Sequence, residues 1–119
     1  MPYGHCFHTV MQAVISGDKN LPYLDDFDSV FVIHGTARVK DANTGQYKRG
    51  GHAWVELNTQ DYSLIWEPES KTLYGKDFFL NNADAKEDYR LTVKDLAILC
   101  VKTKTSGPFT IDERKLIEQ

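Results

Sequence analysis

The chain has no apolar run long enough to span a bilayer. Its longest, Leu96 to Val101, is six residues, against about 20 for a membrane-spanning helix. The start, Met-Pro-Tyr-Gly-His-Cys, carries no apolar signal segment. Two cysteines in 119 residues are too few for a secreted disulfide framework, so free thiols in the cytoplasm are expected, with a single Cys6–Cys100 bridge as the alternative. Excess positive charge is also missing. The formal net charge is -3, which argues against nonspecific nucleic-acid binding. No repeat, linker or low-complexity tract divides the sequence. Its length fits one domain, 1–119, with enough chain to bury a core of its own.

What is present is periodicity. Phe7, Val10, Met11 and Val14 recur at helical spacing, predicting a helix from about Cys6 to Ser16, capped by Gly4 or His5 and ended at Gly17. The polar stretch 18–28, with Pro22, reads as a loop. Alternation predicts a strand over Ser29–Lys40, a turn over Asp41–Gly45, a second strand over Gly51–Leu57 and a third over Tyr62–Glu67, stopped by Pro68. Residues 69–90 read as mostly irregular, with Phe78-Phe79-Leu80 as an apolar anchor that is open to a short helix or a short strand. Thr92 caps a further helix carrying Val93, Leu96, Ala97 and Cys100, for which a strand is the alternative. Ser106-Gly107-Pro108 breaks it, and Thr110 caps a last short helix. The fold expected is α+β: an N-terminal helix carrying Cys6, packed on an antiparallel sheet of three or more strands, with one or two C-terminal helices.

The chemistry-bearing residues follow from placement. A cysteine in the first turn of a helix meets free backbone N–H groups and the positive helix end, which favour a thiolate. It needs a base. His52 opens the second strand and shares a face with Trp54 and Glu56, so it can face the Cys6 helix. If Thr59 and Gln60 form the hairpin tip, His52 lies directly opposite Glu67 and Trp54 opposite Ile65. Directly opposed side chains share a face, about 4.5–5.5 Å apart at Cβ. The acid then accepts the second ring N–H and orients the imidazole. Glu69 is the substitute if the register slips by two. The candidate catalytic set is therefore Cys6, His52 and Glu67, with the Cys6 backbone N–H as oxyanion donor and Gln12 as a weak second donor. His34 either lines the cleft beside His52 or sits in the core. Trp54, Trp66, Tyr23, Tyr62 and Tyr74 are candidate wall or core residues.

Other readings compete. His5, Cys6, His8, His34 and His52 are zinc-type ligands, but Cys6 and His8 point about 200° apart on a helix, and no metal ligand is assigned. Asp25, Asp26 and Asp28 read as a solvated loop without calcium-loop spacing. Cys100 reads as a core residue.

Gly51-His-Ala-Trp-Val-Glu56 resembles the histidine strand of the transglutaminase-like branch of the papain-like cysteine protease superfamily. Ile65-Trp-Glu-Pro-Glu69 resembles that branch's strand ending in an acid followed by proline, and Val32-Ile-His-Gly35 resembles the strand before the histidine strand. Cys6 at a helix start resembles its nucleophile, and the order Cys, His, acid is the same. The family's acid is usually Asp; here it is Glu67. The resemblance spans Cys6 to Glu69. It implies acyl transfer on an amide or peptide bond through a thioester on Cys6, without a cofactor. Peptidase or amidase hydrolysis is expected, with amine transfer, or an inactive scaffold serving as an interaction module, as alternatives. The partner implied is a peptide or protein substrate; neither nucleic acid nor a membrane is expected.

Overall fold

Cap chemistry and strand alternation account for most of the elements seen in the computed structural model, which describes residues 5–41 and 43–119. Helix α1 spans His5–Ser16 and buries Cys6, Phe7, Val10, Ala13 and Val14. It stops at Gly17, whose φ of 96° suits the left-handed conformation of a helix terminator and whose N–H bonds the carbonyl of Ala13 at 3.0 Å. Gly4, one of the two expected caps, lies outside the described residues, and the other, His5, is already helical.

Strands β1 (Ser29–Lys40) and β2 (Tyr47–Asn58) form a long hairpin paired antiparallel along their whole length. Strand β3 (Ser63–Glu67) pairs with only Val55–Asn58 of β2. The sheet is completed by β4 (Thr72–Gly75) and β5 (Lys86–Leu91), in the order β4-β3-β2-β1-β5. Helix α2 (Lys76–Asn82) lies between these two strands in sequence, and α3 (Val93–Thr103) and α4 (Ile111–Arg114) follow. The expected α+β architecture is therefore present, with five strands. Phe78, Phe79 and Leu80 lie in α2, the short element allowed for there, but the expectation that the rest of 69–90 is irregular is wrong: it also holds β4 and β5. The physical reason is that both strands lie at sheet edges and are mostly exposed, so no apolar alternation marks them.

Local caps settle the C-terminal half. The Thr92 hydroxyl accepts from the Asp95 N–H at 3.1 Å, resolving the helix-or-strand choice in favour of helix. Thr110 and Glu113 form a reciprocal capping box at the start of α4.

The sheet separates two apolar layers. On one face, α1 and α3 cover Val32, Ala53, Val55, Leu57 and Trp66, joined by Leu96, Leu99 and Phe109. On the other, Phe79 of α2 packs with Ile33, Trp54 and Ile65. Glu56 is buried on this second side, where it pairs with Lys76 at 2.8 Å and Arg90 at 3.0 Å and so ties α2 and β5 to the sheet. Gly35 permits the tight approach of β5: a Cβ there would collide with the backbone carbonyl of Lys86. Among the described residues no helix is long and apolar enough to cross a membrane.

Candidate active site

The hairpin register differs from the expected one. Val55 stands opposite Trp66, Glu56 opposite Ile65 and Asn58 opposite Ser63. Ile65 therefore faces Glu56, not Trp54. The tip moves because the Thr59 hydroxyl accepts from the N–H groups of Asp61 and Tyr62, each at 3.2 Å, centring the reversal on Gln60-Asp61 rather than Thr59-Gln60. A one-residue shift of the tip moves the pairing by two residues, which keeps each side chain on its face.

Glu67 consequently sits diagonally from His52 instead of opposite it, yet the two meet: His52 Nε2 and Glu67 Oε1 are 2.9 Å apart. Diagonal neighbours on a sheet are about 7–8 Å apart at Cα. The longer glutamate side chain covers that gap. The carboxylate is held in turn by the backbone past the strand end. Glu69 N–H donates to Oε1 at 3.1 Å, Ser70 N–H to Oε2 at 2.8 Å, and the Ser70 hydroxyl to Oε2 at 3.0 Å. Glu69 thus contributes a backbone donor to this carboxylate, and its own side chain is exposed. Ser70 was not foreseen; the Glu-Pro-x-Ser spacing after a strand is the signal that a carboxylate-capped turn follows.

Helix α1 does not lie where the alternation argument put it. It packs on the Ala53–Val55–Leu57 side of the sheet, whereas His52 alternates to the other side. Cys6 reaches the histidine at the level where β3 no longer accompanies β2. There the first turn of α1 lies against Gly51, with the Phe7 ring 3.6 Å from where a Cβ would be. The Cys6 thiol is directed to the Gly51 carbonyl at 4.0 Å, one residue before His52.

These neighbours decide the charge of His52. Burial alone would depress its pKa, but the Cys6 side chain and the Glu67 carboxylate together raise it to about 9. Both neighbours favour the cationic form of the ring. Burial pushes Glu67 upward, but His52 and the Ser70 and Glu69 N–H groups outweigh it and hold the carboxyl below its usual range. Glu67 takes Nε2, and no hydrogen bond among the described residues uses Nδ1.

The remaining candidates lie elsewhere. His34 points to the α1 side, opposite Ala53, in a pocket formed by Phe7, Tyr89 and Phe109, and so belongs to the core. Its Nδ1 bonds the Tyr89 hydroxyl at 2.7 Å, its Nε2 has no partner among the described residues, and burial lowers its pKa to about 4. His5 and His8 are exposed, His8 within 3.2 Å of the Ser106 hydroxyl. Gln12 is exposed on the outer side of α1. Trp66 is core on the α1 side and donates to the Asn20 carbonyl at 3.1 Å. Trp54 lies under the site, its ring 6.1 Å from the His52 ring. Tyr23 and Tyr62 are exposed. Both cysteines are free thiols; Cys100 is half-buried, and burial raises its pKa.

Comparison of the chain with protein-family models, with curated proteins and with solved structures finds no match.

Proposed function

We propose that the protein is a thiol-dependent acyl-transfer enzyme that hydrolyses an amide or peptide bond. The observation that carries this reading is the buried imidazole of His52, held by Glu67 at 2.9 Å, beside Gly51, whose carbonyl a sulfur in the first turn of a helix approaches at 4.0 Å. The resemblance of the His-Ala-Trp-Val-Glu strand to the transglutaminase-like branch supports it.

In the proposed reaction Cys6 Sγ attacks the substrate carbonyl carbon as a thiolate. The backbone N–H of Cys6, in the first turn of α1, is the candidate oxyanion donor. Imidazolium His52 gives its Nδ1 proton to the leaving amine as the C–N bond breaks, leaving a thioester on Cys6 and a neutral ring. His52 then takes a proton from water, whose oxygen attacks the thioester. The acid departs, and the thiolate–imidazolium pair is restored. Glu67 keeps the ring oriented and stabilises its cationic form throughout. Water, the most abundant acceptor, is the one proposed. A cytoplasmic setting suits two unpaired thiols.

A second reading, a papain-like scaffold without turnover, is favoured by the burial of Cys6, only 6% exposed. One experiment separates the two: iodoacetamide alkylation across pH, followed by mass spectrometry, on the wild type and His52→Ala. The enzyme reading expects Cys6 to react about tenfold or more faster than Cys100 at pH 6–7, and the variant to lose that preference. Equal, slow alkylation of both cysteines in the wild type supports the scaffold.

A further inference from the structure

The β1–β2 hairpin runs past the pairing of both neighbours: β3 accompanies β2 only as far as Val55, and β5 accompanies β1 only as far as Thr36. The part left over is an arm, residues 37–40 and 47–50, whose register stays regular to its end. Thr36 stands opposite Gly51, Arg38 opposite Arg49 and Lys40 opposite Tyr47. Directly opposed residues share a face, and successive residues alternate. Arg38, Lys40, Tyr47 and Arg49 therefore share the face of Gly51 on which α1 packs, where a Cβ would meet the Phe7 ring. Cys6 comes in on this side, its thiol directed to the Gly51 carbonyl at 4.0 Å. Two residues along a strand span about 7 Å and four about 14 Å, so the Arg38–Arg49 and Lys40–Tyr47 pairs lie one and two such steps beyond the level of the sulfur.

This face is unbalanced in charge. Arg49 is paired with Asp84, and Lys48, on the opposite face, with Asp41. Arg38 and Lys40 are exposed and have no acidic partner among the described residues. Like charges in directly opposed positions destabilise a sheet, and Arg38 and Arg49 are such a pair. Natural proteins break local rules of this kind mainly at functional sites. The Arg38 guanidinium lies 5.4 Å from the centre of the Tyr47 ring, itself 61% exposed. The ring steadies the guanidinium and leaves its N–H donors without a carboxylate.

We propose that this arm docks the acidic part of the peptide on which the site acts, an extended segment running from Cys6 along the arm with its carboxylates at Arg38 and Lys40. The assignment rests on the acyl-transfer reading and names its substrate class: peptides with acidic residues about two and four positions from the amide that Cys6 attacks. Charge complementarity selects this occupant. A guanidinium fork takes a carboxylate bidentately, and the chain's net charge of -3 opposes a long polyphosphate more than a peptide with a few acids.

The test uses the full chain and fluorescein-labelled Gly/Ser peptides carrying Glu-x-Glu-x-Glu, or glutamine or lysine in the same places. Fluorescence anisotropy at two salt concentrations reads binding. The glutamate peptide is expected to bind about tenfold or more tighter than the lysine peptide, and less tightly at higher salt. Arg38→Glu/Lys40→Glu should abolish the preference. Lys19→Glu/Lys94→Glu makes the same charge change outside the arm and should keep it. All four side chains are exposed, so both variants should fold. Saturating glutamate peptide should also slow iodoacetamide alkylation of Cys6 severalfold and leave Cys100 unaffected. Glutamate binding no tighter than lysine binding, a preference that survives Arg38→Glu/Lys40→Glu, unaltered alkylation of Cys6 in the saturated protein, or tighter binding of a single-stranded DNA oligonucleotide of equal charge overturns the assignment. Alkylation without peptide keeps the two claims apart. Charge-dependent binding that needs Arg38 and Lys40, in a protein whose Cys6 reacts no faster than Cys100, leaves the arm and removes the acyl transfer. A fast-reacting Cys6 with peptide binding blind to charge leaves the chemistry and removes the arm.

Discussion

Glu67→Gln isolates the contribution of the carboxylate to the site, because glutamine keeps the shape and the hydrogen-bonding reach but not the charge. In the wild type His52 Nε2 meets Oε1 at 2.9 Å, and the two side chains are 4% and 13% exposed, so little solvent screens the pair. A hydrogen bond involving a charged group contributes about 1.5–3 kcal/mol. At about 1.4 kcal/mol per pH unit, its loss should lower the His52 midpoint from about 9 by roughly 1–2 units. Cys6 still interacts with the ring, so the fall should stop short of what burial alone would impose. The assay is an NMR titration of the ring nitrogens in wild type and variant. Where the ring signals show more than one step, the comparison uses the upper macroscopic midpoint of each protein. The linkage follows with the same sign. A histidine raised from 6.5 to about 9 stabilises the fold fully below pH 6.5, and that stabilisation is lost as pH rises through 9. Glu67→Gln should shrink this alkaline loss. An upper midpoint unchanged within a few tenths of a unit would refute the claim that Glu67 holds the ring cationic.

Two further outcomes follow from the packing. His34, buried with a pKa of about 4 against 6.5 when unfolded, should make the protein lose stability as pH falls from 6.5 to 4, by about 3 kcal/mol. In His34→Phe the slope of urea midpoint against pH in that window should flatten, and an identical slope in the variant removes His34 as its source. Gly35→Ala places a Cβ against the Lys86 carbonyl and should cost about 1–3 kcal/mol of unfolding free energy. A urea melt within 0.5 kcal/mol of wild type would mean that β5 does not lie as close to β1 as described.

The parts of the fold readable from sequence are those with local causes. Strand β1 occupies the whole predicted span Ser29–Lys40, because its alternation is unbroken and a turn follows. The caps at Thr92 and Thr110 work over three residues and need nothing distant. Strands β4 and β5 escaped because their edge positions leave them mostly exposed. A cavity of about 400 Å³ was equally invisible: its lining residues Glu67, Tyr74 and Asn82 come from separate elements, and only the sheet and α2 bring them together.

The same division runs through the site. Sequence alone determined that His52 and Glu67 alternate onto one side of their strands, since side chains repeat every two residues and a slip of two leaves the side unchanged. It also determined that Cys6 opens a helix. Tertiary structure decided the rest. Thr59 placed the tip and so made the Glu67 contact diagonal, a gap the longer glutamate spans. The packing of α1 on the Ala53–Val55–Leu57 side decided that the sulfur comes in alongside Gly51, where β3 has left β2, and not across the sheet face that carries His52. Periodicity fixes which way a side chain points along its own strand; only the packed layers fix which element it finds there.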